Sequence, residues 1–283
     1  GLHGKSFIPM IMGFGCNVPA IMSTRMLENR SDRILTILIN PFMSCSARLP
    51  VYILLVGAFF KNYAALVLFG IYLFGILAAI VMAKLFKRVL FHRQEVPFVM
   101  ELPPYRMPTL RTTVRHMWSK GEQYLKKMGG IIMIASIVIW ALGYYPDHDA
   151  YETVAEQQEN SYIGQIGKAM EPVIAPLGFD WKLGIGILSG VGAKELVVST
   201  LGVLYTNDAE ADAVSLAERI PITPLVAFCY MVFVLIYFPC IATIVAIKQE
   251  SGSWKWALFT AVYTTLLAWV MAFAIYRIGG LFV

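Results

Sequence analysis

The sequence predicts an all-α, polytopic transmembrane helical bundle with discontinuous helices and a cytoplasmic amphipathic helix. Of its 283 residues 58% are hydrophobic and only 14% are charged, and the mean hydropathy is +0.65. Soluble domains are about 45–50% apolar and about 25% charged. Apolar runs of roughly the ~20 residues that cross a bilayer recur along the chain. This composition excludes a soluble enzyme, a disordered chain and a small disulfide scaffold.

Seven apolar segments are predicted to cross the membrane, and all are expected to be helices because a lipid-facing strand cannot satisfy its backbone. Four of the seven are interrupted by glycine, proline or charge, namely the first, second, fifth and sixth. The seven segments span about residues 6–24, 34–60, 63–85, 128–145, 183–205, 223–247 and 254–276.

The charges of the connections orient these segments. The loop 25–33 and the long connection 84–127 are rich in Arg and Lys and are predicted to be cytoplasmic, whereas the acidic stretch 146–180 is predicted to be external. Counting spans then places the connection 206–222 and the C-terminus inside, although acids outnumber bases in 206–222. The net charge of +5 is therefore interpreted as topology, and no nucleic-acid partner is expected.

The chain is expected to divide into three parts. Residues 1–90 form a first membrane half and residues 128–283 a second half, which contains the external loop 146–180. Residues 91–127 form a cytoplasmic elbow rich in proline, followed by an amphipathic helix whose apolar residues alternate with bases. That helix is predicted to lie on the cytoplasmic membrane face and to run into the fourth span.

A short internal repeat links the two halves. The stretch GFGCNVP (Gly13–Pro19) is matched by GVGAKEL (Gly190–Leu196), and PFMSC (Pro41–Cys45) is matched by FPC (Phe238–Cys240). Discontinuous helices in corresponding positions of two halves indicate a transport site near the membrane midplane. In the predicted topology both Gly-x-Gly segments run in the same direction, so an inverted repeat would require one of them to be re-entrant.

The breaks carry the candidate ligands. We predict a metal path formed by Cys16, Cys45, Cys240, Glu195, Asn17 and Ser44, with backbone carbonyls at the GFGCNVP and GVGAKE breaks completing the coordination. A set that mixes thiols and oxygens suits Fe²⁺, Mn²⁺ or Zn²⁺, whereas Mg²⁺ and Ca²⁺ require oxygens alone. Counted along straight helices, Cys16, Cys45 and Glu195 lie roughly 12–16 Å above the cytoplasmic end and Cys240 roughly 25 Å, which predicts more than one station.

Plainer interpretations compete with these assignments. A cysteine within a membrane helix is usually a small packing residue, and we expect this for Cys229, while for Cys16, Cys45 and Cys240 both interpretations stay open. Glu195 differs because an ionisable residue within a span is costly and by default functional. Its neighbour Lys194 is expected to pair elsewhere or to reach the interface. Gly4-Lys5-Ser6 imitates the end of a P-loop but lacks its preceding glycine and strand.

Five motifs carry a family resemblance that runs through nearly the whole chain. In order they are GKSFIPMIMGFGCNVPAIMSTR (4–25), NPFMSCSARLPVY (40–52), ELPPYRMPTLRTTVRHMW (101–118), GVGAKELVVSTLG (190–202) and FPCIAT (238–243). Together they resemble the membrane domain of the ferrous iron transport protein B (FeoB) family. The broken regions look like the paired Gate segments of that family, which nucleoside-transporter-like proteins share, so the two halves are Gate-like.

The resemblance implies a multi-pass importer of Fe²⁺ in the bacterial or archaeal inner membrane. The family's Gate cysteines correspond to Cys16, Cys45 and Cys240. The resemblance also implies an N-terminal GTP-binding domain, through which alone GTP would act, small accessory Feo proteins, and a homodimer or homotrimer. A first residue Gly1 and the lack of a GTPase motif predict a piece of a longer protein that is not itself an enzyme. The alternatives are a Gate-fold transporter of nucleosides or other organic solutes and, far less favoured, an intramembrane enzyme, since no histidine or aspartate falls within a span.

Overall fold

The structure is a computed structural model that describes residues 4–90, 109–145, 154–206, 220 and 222–281, and throughout these residues the regular elements are helices. The proline-rich elbow, the acids between 146 and 153 and most of the connection 206–222 lie outside the described residues. The α-helices are α1 (Phe7–Gly15), α2 (Asn17–Ser23), α3 (Arg30–Ile39), α4 (Leu49–Phe59), α5 (Ala64–Val89), α6 (Leu110–Tyr144), α7 (Val154–Asn160), α8 (Tyr162–Ile174), α9 (Trp181–Gly192), α10 (Leu196–Thr206), α11 (Pro224–Ile236), α12 (Ile241–Ser251) and α13 (Trp254–Gly279).

Four helical segments among the described residues are long and apolar enough to cross a membrane. Arg30–Phe59 and Pro224–Ser251 are broken in the middle, whereas Lys61–Val89 and Trp254–Gly279 are continuous. The most apolar windows of the broken segments are 50% and 72% buried, against 17% and 28% for the continuous ones. A helix break frees backbone groups that lipid cannot satisfy, so the broken segments lie inside the bundle and the continuous ones face outward.

The first predicted span is a re-entrant hairpin. Helices α1 and α2 pack against each other across the break at Cys16. The two ends of the hairpin lie on the same side of the bundle, as the distance of 3.1 Å between Lys5 Nζ and Glu28 Oε1 shows. The hairpin joins the next segment deep in the bundle, where Thr36 Oγ1 donates to Ser6 Oγ at 2.9 Å. Residues 6–24 therefore enter and leave at one end of the bundle.

The fifth predicted span is a re-entrant hairpin as well. Helices α9 and α10 pack antiparallel around a break at residues 193–195. At its open end Tyr205 donates its hydroxyl to Asp180 Oδ2 at 2.7 Å, and Lys182 Nζ donates to the Leu204 carbonyl at 3.0 Å. The side chain of Asp180 also caps α9 by accepting from the Leu183 amide.

The two hairpins enter from opposite ends. At the first end, which we call the Arg25 end, Arg25 and Arg33 both bind Glu250 at the close of α12. At the other end, the Tyr205 end, Ile220 packs with Leu54 of α4, in a cluster that includes Phe59 at the close of α4 and Tyr205. Two close approaches also lie at the Tyr205 end, between Gly178 and Tyr276 and between Gly279 and Leu225.

The topology predicted by counting seven spans was therefore wrong. Segment 183–205 returns to its own side, so α11–α12 runs from the Tyr205 end to the Arg25 end, and α13 runs back. The C-terminal end of α13 and the described residues Thr206, Ile220 and Ile222 consequently lie at the end opposite to Arg25. Each half consists of a hairpin, a broken helix and a continuous helix, and the halves are inverted relative to each other.

Helix α6 passes without a break through the predicted boundary between residues 127 and 128. Its 35 residues correspond to ~52 Å, well beyond the ~30 Å of a hydrocarbon core. The exposed side chains of Val114, Met117, Trp118 and Leu125 give its N-terminal part an uncovered apolar face. The predicted amphipathic helix and the fourth span are thus one element.

Helix α11 forms the centre of the bundle. From Val226 to Ile236 all but one of its residues are buried, so it is apolar on every side, as expected for a helix surrounded by protein. Phe179 packs edge-on against Tyr230 and Phe233 of this helix, and Phe233 stacks on Tyr237. The break that follows α11 is consequently held in a rigid aromatic environment.

Candidate metal-binding site at the helix breaks

The four breaks form two structurally matched pairs. In the Gly-x-Gly breaks Cys16 has φ −152° and ψ 133°, and Ala193 has φ −145° and ψ 133°. In the proline-containing breaks Cys45 has φ −73° and ψ 159°, and Cys240 has φ −58° and ψ 153°. The backbone therefore repeats the relation that the short sequence repeat predicted.

Close packing of one glycine in each half joins the two breaks of that half. A Cβ on Gly13 would collide with the Asn40 side chain and would lie 2.9 Å from Met43 Cβ. A Cβ on Gly190 would collide with the Tyr237 hydroxyl and would lie 2.6 Å from Val197 Cγ2. The first glycine of each Gly-x-Gly is thus required for contact between hairpin and broken helix.

All four breaks line one cavity of about 190 Å³. Residues from every break contribute to its wall, and none of the lining side chains is aromatic. The lining residues are Gly15, Cys16, Asn17, Val18, Cys45, Ser46, Ala47, Arg48, Gly192, Ala193, Lys194, Glu195, Cys240, Ala242 and Thr243.

Five of the six predicted ligands line this cavity. Cys16, Cys45 and Cys240 are partly exposed and form no disulfide, and Cys240 Sγ lies 3.1 Å from Thr243 Oγ1. The prediction that Cys240 lies outward of the other two was wrong, because it measured depth along one straight helix. The extended break and the opposite direction of α11–α12 bring Cys240 to the same cavity. Cys229 is fully buried in the main core, as a packing residue would be.

The oxygen ligands differ in their surroundings. Asn17 is 4% exposed, and its Oδ1 is buried without a hydrogen-bond donor among the described residues. Glu195 is exposed at the cavity wall. Ser44 is not brought to the cavity, because its buried hydroxyl lies 3.4 Å from the Tyr52 hydroxyl.

Two buried cations in the cavity wall form the part of the site that sequence reasoning missed. Arg48 is 1% exposed and donates from Nη1 to the carbonyls of Pro41 and Met43, at 3.1 and 3.2 Å. Lys194 is 3% exposed, and its Nζ donates to the Phe238 carbonyl at 2.8 Å and lies 3.2 Å from the centroid of the Tyr237 ring. A charged residue inside a predicted span was the available signal for Arg48. Lys194 was expected to pair elsewhere. Its partner is the Phe238 carbonyl in the proline-containing break of the same half.

The thiols and carboxylates do not form a closed metal cage. Among the described residues, no group of three or more His, Cys, Asp and Glu side chains is arranged to hold a metal ion. One carbonyl of the breaks is also already engaged, since Gly15 accepts from Ser46 Oγ at 2.8 Å. The cavity therefore has candidate ligand atoms distributed over its walls and not gathered at one point.

An ion-pair cluster closes the Arg25 end below the cavity. The Glu250 side chain is 2% exposed and accepts from Arg25 at 2.5 and 2.7 Å and from Arg33 at 2.9 Å. The hydrogen-bonded Glu250 carboxylate raises the pKa of Arg25, so this guanidinium stays charged at every physiological pH. Because α2 begins after Cys16 and α12 begins after Cys240, this clasp of Arg25, Arg33 and Glu250 ties together the far ends of two helices that start at the cavity.

Comparison with known proteins agrees with this architecture. A family model described as "Nucleoside recognition" (Gate) matches residues 1–59 and 125–254, and one described as "Ferrous iron transport protein B C terminus" matches residues 68–120. The residues matched by the Gate model include all four helix breaks. The chain belongs to the Gate family and corresponds to the C-terminal part of FeoB proteins.

Three relatives illustrate the similarity. A Porphyromonas gingivalis protein named "Fe(2+) transport protein A/Fe(2+) transporter FeoB fusion protein" is 54% identical over 100% of this chain and 38% of its own length. Proteins named "Fe(2+) transporter FeoB" from Campylobacter jejuni and Methanocaldococcus jannaschii are 45% and 44% identical, covering 96% and 99% of this chain and 46% and 42% of their own. The chain thus spans less than half the length of these relatives. No solved structure matches it.

Proposed function

We propose that this chain is the permease portion of a ferrous iron importer and that the cavity between the four breaks is a station on the path of Fe²⁺. The observation that carries the proposal is the convergence of Cys16, Cys45 and Cys240, from three separate segments, on one cavity. A packing role would not bring three thiols to one partly open cavity, and the fourth cysteine, Cys229, lies buried in the core.

In the proposed path Fe²⁺ reaches the cavity at Glu195, loses part of its water and is bound by the thiols together with Asn17 Oδ1. Binding to thiols releases their protons, and the thiolate charge offsets Arg48 and Lys194. Zinc binds such ligands more tightly than ferrous iron does at equal availability. A carrier of ferrous iron is therefore expected to coordinate its ion loosely and partly through oxygen, and such coordination also favours release of the ion. Ser44 remains a predicted ligand that would have to turn from Tyr52 to take part.

The inverted repeat supports alternating access. In this scheme the hairpin and broken helix of one half move against those of the other around the cavity, and the clasp at Glu250 opens in the inward-facing state. The relatives are more than twice as long as this chain, and one of them is named as a fusion of a transport protein A with FeoB, which supports a larger whole protein. In the proposed whole protein these Gate-like halves act with a GTP-binding domain, an accessory protein of the Feo A type, and identical copies in a dimer or trimer. The setting is the inner membrane, with a multi-pass topology and no catalytic centre in this chain.

Uptake of ⁵⁵Fe²⁺ by cells that express the full-length protein tests the proposal. Joint replacement of Cys16, Cys45 and Cys240 by serine should reduce uptake at least about tenfold, because hydroxyls are poor ligands for this ion. Cys229→Ser is the matched control, since it changes a thiol that does not line the cavity, and it should retain most of the uptake per folded molecule. Unchanged uptake by the triple variant would show that thiols do not carry the ion.

A Gate-fold transporter of nucleosides is the second candidate, favoured by the description of the matched family model. The cavity opposes it, because about 190 Å³ is below the roughly 300–1,000 Å³ of small-molecule sites and the wall lacks an aromatic ring for a base to stack on. Inhibition of transport by nucleosides but not by divalent metals would reverse this ranking.

A further inference from the structure

In each half of the repeat a buried cation occupies the carbonyl two positions before the cysteine of the proline-containing break. When Cys45 is aligned with Cys240, Met43 corresponds to Phe238. The Met43 carbonyl accepts from Arg48, and the Phe238 carbonyl accepts from Lys194. These are carbonyls that a break frees from the helix ladder, and such carbonyls serve as cation ligands in broken membrane helices.

The two cations are held in different ways. Arg48 belongs to the same segment as its acceptors, binds two of them and cannot lose its charge. Lys194 lies in the Gly-x-Gly break, 44 positions from Phe238 in the chain, and it binds one carbonyl. Among the described residues no carboxylate lies within 4 Å of Lys194 Nζ, so the Tyr237 ring face and the Phe238 oxygen are what hold the ammonium. Arg48 is thus held in place by two hydrogen bonds, whereas Lys194 can be displaced from its single carbonyl acceptor.

The same alignment gives Lys194 a counterpart of opposite character. Ala193 corresponds to Cys16, so Lys194 corresponds to Asn17. Asn17 presents a buried acceptor, Oδ1, that has no donor among the described residues, and it lines the cavity together with Lys194 and the thiols. One half therefore offers an open oxygen, while in the other half the equivalent residue covers an oxygen with a positive charge.

The geometry points to Lys194 as a tethered cation, whose ammonium occupies the Phe238 carbonyl while the cavity holds no metal and is displaced from it when a divalent ion binds. This inference rests on the proposed function, because it names the residue that sets the affinity of the same site. The ammonium moves off the oxygen with no bond made or broken other than hydrogen bonds, and the ion takes the carbonyl as a ligand. The tether lowers affinity for the ion and thereby favours its release.

Equilibrium binding of ⁵⁵Fe²⁺ to the full-length protein in lipid nanodiscs, under anaerobic conditions, tests the inference. Lys194→Gln removes the charge but keeps a donor for the Phe238 carbonyl, and Lys194→Met removes both. Each should lower the Kd at least about tenfold, because a positive charge that opposes a divalent ion a few ångströms away is lost. In uptake assays the same variants should reach half-maximal rate at lower Fe²⁺ but with a lower maximal rate, since the ion leaves more slowly.

Lys182→Gln is the matched control. Lys182 also donates to a backbone carbonyl and lies over aromatic rings, but it does not line the cavity. Its Kd should stay within about twofold of the wild type. In a second experiment Lys194→Ala should bind Fe²⁺ in competition with added methylammonium, which can occupy the vacated position, whereas the wild type should be insensitive to methylammonium.

The outcomes separate the inference from the proposed function. Suppose that Fe²⁺ binding depends on the three cavity cysteines but that Lys194→Gln leaves the Kd unchanged or raises it. The role of Lys194 as a tethered cation is then refuted, and the proposed function as an iron importer stands. If Fe²⁺ binding survives the triple cysteine substitution unchanged, or no saturable binding occurs in the wild type, the proposed function falls and the tether falls with it. Lys194→Gln decides the question if Lys194→Met does not yield a monodisperse protein.

Discussion

Single residues decide where the helices of this protein can touch. Gly13 and Gly190 hold the same place in the two halves, and each allows a hairpin to approach the break of the neighbouring helix closely. Neither has a positive φ, so the requirement is for space and not for backbone conformation. Gly15, only two positions from Gly13, has open space where a Cβ would lie.

Gly13→Ala and Gly190→Ala should each lower the stability of the protein by about 1–3 kcal/mol, because the added methyl group must displace well-packed neighbours. Thermal unfolding in detergent, followed by tryptophan fluorescence, measures the change. Gly15→Ala is the control and should be close to neutral. Equal melting temperatures for Gly13→Ala and Gly15→Ala would mean that the close approach to Asn40 and Met43 is not required.

At the scale of elements, the clasp at Glu250 links segments that lie far apart in the chain. Glu250 is separated from Arg25 by 225 positions, and Arg33 additionally donates to the Glu250 carbonyl at 2.7 Å. The carboxylate is buried, whereas the arginines are 48% and 30% exposed and can rehydrate if it is removed. The clasp therefore links α2 and α12 on the side of the cavity that faces the Arg25 end.

Glu250→Gln should destabilise the protein by about 1–3 kcal/mol, which is below the cost of breaking a fully buried pair because both arginines reach water. Glu28→Gln removes a carboxylate at the same end, but from an exposed pair with Lys5, and should cost no more than about 1 kcal/mol. Thermal unfolding of the two variants side by side measures the difference. A smaller effect for Glu250→Gln than for Glu28→Gln would contradict a structural role of the clasp.

At the scale of the whole molecule, the inverted arrangement of the halves fixes which ends share a side. Glu28 lies at the Arg25 end, and Leu281 follows α13 at the Tyr205 end, where it is 82% exposed. Glu159 precedes the hairpin α9–α10 on that same side. If the basic loop 25–33 is cytoplasmic, the end of α13 is external, which is the reverse of what seven spans would give.

Labelling with a membrane-impermeant maleimide tests this topology in intact cells, with every native cysteine of the full-length protein, including the four of this chain, replaced by serine. Glu159→Cys and Leu281→Cys should be labelled from outside, while Glu28→Cys should react only after the membrane is permeabilised. Glu159→Cys is the external reference. Leu281→Cys labelled only after permeabilisation would restore the seven-span topology and exclude the inverted repeat.

The sequence by itself determined the class of fold and the places where helices break, and it supplied the candidate metal ligands. Hydropathy alone identified the apolar segments, because lipid imposes length and helical backbone on anything that crosses it. The matching Gly-x-Gly and proline-cysteine motifs located all four breaks, since glycine and proline act on the backbone locally. Five of six candidate ligands, Ser44 being the exception, consequently lie at one cavity.

Only the tertiary structure decided in which direction each broken segment runs and which groups the buried charged side chains bind. A broken apolar segment of about 20 residues has the same composition whether it crosses the membrane or folds back, and the choice depends on contacts such as Tyr205 with Asp180. The depth of Cys240 and the side of the C-terminus followed from that choice. Likewise, the oxygen that the buried Lys194 binds lies 44 positions away in the chain. The local sequence could not predict this partner, because long-range hydrogen bonds depend on packing between segments.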